Sequence, residues 1–286
     1  MRIANLADRV VLLTGDGAID VHQASGGVLS SDPQTLFDHW RDAWPVLTTL
    51  TGEASPYDEA DLRAPVPRPG QIFAIGVNYR EHAEESGIDI SSLTWPMTFT
   101  KFASCLTGPS ATVLLPEGWV DWEVELVVVI GERGHRVQAE DAWNHVAGFT
   151  IGQDLSERIS QWSGPAPQQF SLGKSHPGFG PTGPAVVTLD ELDDPADLAI
   201  GCSINGETMQ DGRTGDMIFG VAELIAHLSS IAVLEPGDLI FTGTPAGIGA
   251  TRTPARFLAD GDELVSTIEG LGTQRITFRR TPAATI

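Results

Sequence analysis

One stretch in the middle of the chain decides the fold, and it reads Asp121-Trp122-Glu123-Val124-Glu125-Leu126-Val127-Val128-Val129-Ile130-Gly131. Strand-forming residues dominate it, so it predicts a β-strand whose side chains alternate between two faces. Glu123 and Glu125 would share one face, about 6.5 to 7 Å apart along the chain. Both carboxylates could then reach one hard cation. The alternative is an edge strand with its acidic face in water, and this stretch by itself favours neither.

The length and charge of the chain limit the classes of protein to consider. With 286 residues it can form one large domain or two unequal domains. Its 38 acidic and 17 basic residues give a net charge of −21, which argues against nucleic acid and against an anionic membrane surface as partners. A small anionic substrate stays compatible with this charge, because a local cationic pocket can outweigh the overall field.

The cysteines and the apolar segments indicate a cytoplasmic protein. Cys105 and Cys202 show no metal-binding or redox spacing, which is typical of a reducing compartment. The first eight residues lack the apolar core of a signal peptide, and no run approaches the roughly 18 apolar residues of a membrane span. We therefore expect a cytoplasmic protein without membrane contact.

The first 66 residues predict a small α/β module. Residues 9–13 and 18–21, joined by a glycine turn, predict a hairpin. Asp32 followed by Pro33 is a helix-start signal, and the expected helix runs to about residue 50. Residues 64–70 form a proline-rich linker. We therefore divide the chain into a small N-terminal domain, residues 1–66, and a main domain, residues 67–286, with a mobile tail from Thr281.

His82 and Glu85 stand in a polar segment that follows an apolar strand over residues 72–77. The segment predicts one or two helical turns ended by Gly87. Residues three apart share a helix face, and a carboxylate beside an imidazole fixes its tautomer and raises its basicity. This spacing is typical of a general base. An ordinary histidine on a solvated turn explains the same spacing.

Asp154 follows another predicted strand, residues 146–152, and has two interpretations. With Glu157 it has the spacing of a helix capping box. A carboxylate at a strand end is also where a third metal ligand is expected. If a helix begins at Asp154, then Arg158 and Gln161 lie on the same face. The three side chains could provide a metal ligand, a carboxylate clamp and an amide.

Lys101 and Lys174 are the only lysines, while fifteen arginines fill the other basic positions. This favours a functional need for a compact ammonium group over a guanidinium. Trp162, Phe170 and Phe179 indicate an apolar or aromatic substrate group, although core packing explains them equally well. The glycine-rich residues 243–249 lack the lysine of a phosphate-binding loop and predict a tight loop that offers backbone groups to a small ligand.

Several ordered motifs resemble the fumarylacetoacetate hydrolase family over residues 72–278, about three quarters of the chain. The motifs are Gly76-Val77-Asn78-Tyr79 with His82-Ala83, Phe99-Thr100-Lys101, Asp121 through Leu126, Asp154 through Arg158, Gly173-Lys174-Ser175, Asn205-Gly206-Glu207 and Gly237-Asp238 through Gly249. The resemblance implies an α+β, mainly β fold. Its centre would be a rolled mixed β-sheet, next to the small N-terminal α/β module, usually in a homodimer.

The resemblance also implies a site. It places Mg²⁺ or Mn²⁺, with Ca²⁺ as a further candidate, on Glu123, Glu125 and Asp154. His82 and Glu85 would activate water from a segment that orders over the substrate. Lys174 would assist catalysis, and the substrate would contact Lys101, Arg158, Gln161 and Thr244. Residues 175–179, after Lys174, and the late strand at residues 272–276 depart from the family pattern. The resemblance therefore does not identify the substrate.

These residues favour hydrolysis of a carbon–carbon bond in a 1,3-dicarbonyl compound such as an acylpyruvate or β-diketo acid. The metal would polarise the ketone and stabilise the enolate, while His82 takes a proton from water. The same site could decarboxylate a β-keto acid of the oxaloacetate type, or catalyse keto–enol tautomerisation. A non-catalytic carboxylate-binding protein is a third, more distant hypothesis. The expected partner in each case is a small anionic keto acid or diketone.

Overall fold

Two packed β-sheets form the body of the protein in a computed structural model that describes residues 1–165 and 168–280. The strands are β1 (Arg2–Leu6), β2 (Arg9–Thr14), β3 (Gly17–Asp20), β4 (Leu62–Arg63), β5 (Ile72–Gly76), β6 (Met97–Thr100), β7 (Leu106–Thr107), β8 (Thr112–Leu115), β9 (Val120–Asp121), β10 (Val124–Ile130), β11 (Val146–Gln153), β12 (Ser156–Glu157), β13 (Gly180–Val187), β14 (Ala199–Ile204), β15 (Glu207–Arg213), β16 (Leu239–Phe241), β17 (Glu263–Ile268) and β18 (Gly272–Arg280). The α-helices are α1 (Val21–Ala24), α2 (Pro33–Asp38), α3 (Trp40–Leu47), α4 (Arg80–Glu85), α5 (Arg158–Trp162), α6 (Phe170–Gly173) and α7 (Val221–Ile231).

The larger sheet is mixed and contains eleven strands among the described residues. Its main order is β3-β2-β1-β13-β11-β10-β16-β5-β6, with β4 beside β1 and β7 beside β13. Strand β16 runs parallel to β5, whereas β10 runs antiparallel to both β11 and β16. A second sheet has the order β15-β14-β17-β18-β8. The predicted mixed-sheet, mainly β fold is therefore confirmed.

Strand β10 lies in the centre of the larger sheet, and both of its faces are buried. Val124, Leu126 and Val128 belong to the core shared with the five-stranded sheet. Val127 and Val129 belong to a second core that includes apolar side chains of α2 and α3. Because two layers cover it, the strand is apolar on both faces, as is typical of a central buried strand. This burial excludes the edge-strand alternative.

The N-terminal stretch forms the predicted hairpin but not one continuous helix. Asp32 accepts a hydrogen bond from the backbone N–H of Gln34, as a helix cap should. The helical region is interrupted at His39, so α2 and α3 replace the single helix expected up to residue 50. Strand β1 pairs with β13 and thereby extends the larger sheet. The domain boundary between residues 66 and 67 stays a prediction. The larger sheet contains strands from both sides of it.

The C-terminal half follows its local turn and helix signals. Asn205 and Gly206 have φ angles of 51° and 83°, the left-handed values required by the tight turn between β14 and β15. Helix α7 is amphipathic and packs Val221, Leu224, Ile225 and Leu228 into the core. The predicted mobile tail from Thr281 lies outside the described residues. Within residues 1–165 and 168–280, no helix is long and apolar enough to cross a membrane.

Candidate active site

Glu123, Glu125 and Asp154 form a buried cluster of carboxylates where two central strands end. One carboxylate oxygen from each residue lies within 4.8 Å of the others. Glu123 directly precedes β10, Glu125 lies at its start, and Asp154 follows the end of β11, its antiparallel neighbour. The backbone N–H of Asp154 donates to the carbonyl oxygen of Glu123 at 2.9 Å and holds the two ends together. The structure therefore brings the three predicted metal ligands into one place.

The two lysines meet the same cluster from different sides. Lys174 Nζ donates to Glu123 Oε2 at 2.7 Å and to Asp154 Oδ2 at 2.6 Å, and it also lines a cavity. Lys101 Nζ lies 2.5 Å from Asp154 Oδ1 and also donates to the backbone oxygen of Lys174. Lys101 is fully buried and does not line the cavity, although the sequence predicted substrate contact. Its position indicates that Lys101 holds Asp154 and Lys174 in place and does not contact the substrate.

Arg158 reaches the cluster from α5 and binds three groups at once. Its Nε donates to Asp121 Oδ1 at 2.7 Å, its Nη2 to Glu123 Oε1 at 2.6 Å and its Nη1 to Gln161 Oε1 at 2.8 Å. The side-chain NH₂ group of Gln161 has no hydrogen-bond acceptor among the described residues. Gln161 lines the cavity, so this group can donate to a ligand. Arg158 and Gln161 thus share a helix face, as predicted.

The helix that carries Arg158 starts later than the sequence indicated. Its cap is Glu157, whose carboxylate accepts from the backbone N–H groups of Ile159 and Ser160. Asp154 precedes the helix, and its carboxylate binds the two lysines instead. The capping-box interpretation of Asp154 is therefore wrong, because long-range ion pairs occupy the oxygens that a cap would use.

The buried charges are not balanced by the side chains alone. The cluster has four carboxylates and three cations, namely Asp121, Glu123, Glu125, Asp154, Lys101, Arg158 and Lys174. Burial, followed by the charges of Asp154 and Glu123, raises the pKa of Glu125 well above its ordinary value. Burial opposes ionisation of Glu123 as well, but Lys174 and Arg158 lower its pKa to about 2. Glu125 is thus the carboxylate that lacks a counter-charge.

This imbalance fits a divalent cation. Glu125 Oε2 accepts one backbone hydrogen bond, from Gly243 at 2.8 Å, and no lysine or arginine among the described residues is bonded to it. Three clustered carboxylates are the hard oxygen donors that Mg²⁺, Mn²⁺ and Ca²⁺ prefer. Glu123, Glu125 and Asp154 would hold the ion. Its positive charge would stabilise the ionised form of Glu125, which burial and the neighbouring carboxylates disfavour.

His82 and Glu85 face the same cavity from the short helix α4. His82 Nδ1 lies 2.7 Å from Glu85 Oε1, so the carboxylate fixes the tautomer with hydrogen on Nδ1 and leaves Nε2 as the basic atom. The other carboxylate oxygen, Oε2, accepts from Gly247 N and from Thr251 Oγ1, both at 3.0 Å. Burial alone would raise the pKa of Glu85, but the bonds from His82 and Gly247 lower it.

The backbone in front of α4 is held in an uncommon conformation. Val77 has a φ angle of 54°, which is rare for a β-branched residue, and its side chain lines the cavity. The next residue, Asn78, is buried and donates to the backbone oxygens of Thr242 and Phe219, at 2.7 and 3.0 Å. Asn78 therefore fastens the entrance of the His82 segment to the body of the fold.

A cavity of about 600 Å³ lies over these groups. Its polar wall includes His82, Glu85, Glu123, Arg158, Gln161, Lys174 and Thr244. The hydroxyl of Thr244 donates to the backbone oxygen of Val124 and accepts from Gln210, so it has little capacity left for a ligand. The predicted substrate residues Arg158 and Gln161 stand at this wall together with Thr244, whereas Lys101 lies behind it.

The sequence interpretation missed three residues that organise the site: Asp121, Asn78 and Thr251. Asp121 holds Arg158 with one oxygen and the backbone N–H of Ala250 with the other, at 2.8 Å. Its position two residues before Glu123 places it on the same strand face, so the period-two rule could have found it. Asn78 stands in the motif Gly76-Val77-Asn78-Tyr79, but the sequence does not indicate its partners or those of Thr251, because these are remote along the chain.

The fold and the cavity are typical of an enzyme that acts on a small molecule, and the buried carboxylate triad is typical of a divalent-metal site. The chain belongs to the fumarylacetoacetate hydrolase family: the family profile described as "Fumarylacetoacetate (FAA) hydrolase C-terminal" matches residues 71–279. This confirms the family that the motifs indicated.

Relatives within the family have different named activities. The chain is 46% identical over 219 residues to oxaloacetate tautomerase FAHD2A, mitochondrial, of Bos taurus, covering 76% of this chain and 69% of that protein. It is 47% identical over 214 residues to 2,4-didehydro-3-deoxy-L-rhamnonate hydrolase of Sphingomonas sp., covering 74% of each. Near-equal identity to a tautomerase and a hydrolase means that overall similarity does not decide the reaction.

A solved structure adds information on the metal. Maleylpyruvate hydrolase from Sphingobium sp. SYK-6, in complex with manganese(II) ion and pyruvate, superposes with a TM-score of 0.80 at 28% identity. The match covers 99% of this chain and 100% of that one. A divalent metal in a relative of the same fold agrees with the buried carboxylate triad.

Proposed function

We propose that the protein is a divalent-metal-dependent hydrolase that cleaves a carbon–carbon bond in a 1,3-dicarbonyl acid of the acylpyruvate type. One observation carries this proposal: His82, oriented by Glu85, lines the same cavity as Glu123 and Lys174. Hydrolysis requires a base that takes a proton from water beside a group that accepts negative charge. Decarboxylation alone has less need of such a base.

The residues of the chain account for the proton transfers of this reaction. His82 Nε2 takes a proton from water as the hydroxyl adds to the ketone carbon of the acyl group. The bond from that carbon to the adjacent methylene breaks, and its electron pair spreads into the neighbouring carbonyl of the keto acid. His82 returns the proton to the methylene carbon. The products are a carboxylic acid and a pyruvate-type keto acid, which together contain all atoms of substrate and water.

The anionic end of the substrate would lie against Lys174, Arg158 and Gln161. Two of the three N–H groups of Lys174 bond carboxylates of the cluster, which leaves one for the substrate. When bound at the carboxylate triad, Mg²⁺ or Mn²⁺ would polarise the keto oxygens and neutralise negative charge that develops on them. With all seven groups of the cluster ionised, a divalent cation would change its net charge from one negative to one positive. A monoanionic keto-acid group matches that charge.

A second candidate is tautomerisation or decarboxylation of a β-keto acid of the oxaloacetate type. The 46% identical relative named as an oxaloacetate tautomerase favours it. A tautomerase would use His82 to move a proton between carbon and oxygen without adding water. It would produce no acid fragment, and a decarboxylase would release CO₂, so the products separate the three reactions.

The test is a product analysis with Mg²⁺ or Mn²⁺ present. Purified protein should convert acylpyruvates to one equivalent each of a carboxylic acid and pyruvate. His82→Ala should lower this turnover by about 100-fold or more. His135→Ala, which changes an exposed histidine, is the matched control and should have no effect. Unchanged hydrolysis in His82→Ala contradicts the assignment, as does CO₂ release or enol–keto conversion with no acid fragment. Tight metal binding without any turnover of keto acids or diketones would support the non-catalytic hypothesis instead.

A further inference from the structure

The cavity has a second wall that is mostly apolar. Its side chains come from β5, β6, the segment around α4, α5, α6 and the 243–251 loop, and they are Ile75, Val77, Ile88, Met97, Trp162, Phe170 and Ile248. Ile88 and Trp162 are 40% and 48% exposed, so this wall extends to the cavity mouth. Exposed apolar side chains that line a cavity mark a binding surface for an apolar group.

The aromatic residues singled out in the sequence separate into two groups in the structure. Trp162 and Phe170 line the cavity, and Phe170 packs at 5.7 Å from the ring of Phe99. Phe179 is completely buried in the main core, and its ring packs at a tilt against that of His176, outside the cavity. Core packing therefore explains Phe179, whereas Trp162 and Phe170 are available to a ligand.

Among the described residues that line the cavity, the lysines and arginines are confined to the polar wall. They are Lys174 and Arg158, and both are bonded to buried carboxylates. The polar side chains elsewhere in the lining, such as Ser86 and Gln168, are uncharged. Arg252 is directed to backbone oxygens of Met209 and Gly247 and is not part of the lining. The apolar wall thus offers no counter-charge to an anion.

We propose that the cavity selects keto acids with one carboxylate, whose acyl group is uncharged and mainly apolar, such as an alkyl or aryl chain. This inference rests on the proposed function, because it assumes that the keto-acid end binds at the polar wall. The acyl group would then lie against Ile88, Met97, Trp162 and Phe170. A cavity of about 600 Å³ has room for a chain well beyond an acetyl group.

A second carboxylate at the acyl end would be disfavoured by desolvation. It would lose water beside Met97 and Phe170 without gaining a cation, and an unpaired buried charge is costly. The first carboxylate does not meet this problem, because Lys174 and Arg158 line the other wall, where a cation held by Glu123, Glu125 and Asp154 would add positive charge. Discrimination between substrates then arises from the charge of the acyl end and not from its length.

The inference is tested with a pair of substrates that differ by one carboxylate. A 2,4-dioxo acid with a five-carbon alkyl tail is compared with the 2,4-dioxo diacid of equal chain length, both with Mn²⁺. We expect kcat/KM to be about 100-fold higher for the monoacid. Equal values, or a preference for the diacid, overturn the inference while leaving the hydrolase function in place. Failure to cleave either compound overturns the proposed function and this inference with it.

A charge introduced at the cavity mouth provides a second test. Ile88→Lys places a cation on the apolar wall at an exposed position, so the fold should tolerate it. The preference for the monoacid should fall to about tenfold or less, mainly through a lower KM for the diacid. Leu114→Lys adds the same charge at an exposed position on β8, away from the cavity, and should leave the preference unchanged. A preference that stays at about 100-fold in Ile88→Lys overturns the inference.

Discussion

The ammonium group of Lys101 lies 2.5 Å from Oδ1 of Asp154, and neither side chain has any exposed surface. Asp154 Oδ2 is bonded to Lys174, so two cations share one buried carboxylate. Lys101 also donates to the backbone oxygen of Lys174. One lysine therefore faces the cavity, while the other fixes the carboxylate and the backbone on which the first depends.

Lys101→Met should destabilise the metal-free protein by about 3 to 5 kcal/mol, because it removes one partner of a buried pair and leaves Asp154 less compensated. The measurement is the free energy of unfolding from urea titrations in the presence of a chelator. Arg41→Met is the matched control, since Arg41 pairs with Glu132 on the surface and is 81% exposed. The control should change stability by about 1 kcal/mol or less. Equal effects of the two substitutions would contradict the supporting role of Lys101.

Glu125→Gln should act in opposite directions on stability and on metal binding. Glutamine keeps the shape and can still accept from Gly243, while the uncompensated charge disappears. The metal-free protein should be as stable as the wild type or more stable, by up to about 2 kcal/mol. The Kd for Mn²⁺ should rise at least about tenfold, since one of three anionic ligands is lost. Calorimetric titration and urea unfolding test the two effects separately.

The exposed residue Glu207 supplies the control for this change. Glu207→Gln removes the same charge outside the cluster, so both quantities should stay at wild-type values. Loss of stability in Glu125→Gln together with unchanged Mn²⁺ affinity would mean that Glu125 has a structural role and is not a ligand.

Thr251 lines the cavity, but its hydroxyl is bonded to Glu85, so we expect it to position the catalytic pair and not to bind the substrate. Its hydroxyl donates to Glu85 Oε2, the oxygen opposite the one that binds His82. Thr251→Val removes this bond at nearly constant volume, so kcat should fall about tenfold, the equivalent of one hydrogen bond to a charged group. KM should change little, and Thr251→Ser should restore kcat. A rise in KM with constant kcat would indicate instead that Thr251 contacts the substrate.

The sequence predicted the pair of carboxylates at the start of β10 because side chains in an extended chain alternate strictly between two faces. Two residues always return a side chain to the same face, so Glu123 and Glu125 could be paired without tertiary information. The sequence also predicted that β10 is buried on both faces, because a strand that is apolar on both faces requires a packed layer on each side. For these two residues local chemistry was sufficient.

The roles of Asp154 and Lys101 could not be predicted from local sequence. The spacing from Asp154 to Glu157 is that of a capping box, yet Glu157 caps the helix alone. What decides the outcome is two lysines, 53 and 20 residues away, that bind Asp154. The rarity of lysine indicated that Lys101 is functional. It did not indicate whether the ammonium faces the cavity or supports a neighbour, because that depends on how β6 and β11 lie in the finished sheet.

Asp121 is the residue whose substitution should change both substrate binding and the chemical step. Its two oxygens accept from Arg158 Nε and from Ala250 N, so it joins the polar wall of the cavity to the loop that holds Glu85. Asp121→Asn would turn an NH₂ group toward one of these donors, and no arrangement of the amide satisfies both. Arg158 should lose its fixed orientation, which should raise KM for the keto acid by about tenfold or more.

The loop carries the second effect of Asp121→Asn. Release of Ala250 should loosen the anchor of Glu85 and lower kcat as well, so both kinetic constants should change, unlike in Thr251→Val. Asp197→Asn, which alters an exposed pair with Arg213, is the control and should leave both constants unchanged. Hydrogen exchange should show faster opening of residues 247–251 in Asp121→Asn alone. If KM rises while that loop stays protected, Asp121 positions Arg158 only, and the connection to the catalytic pair is wrong.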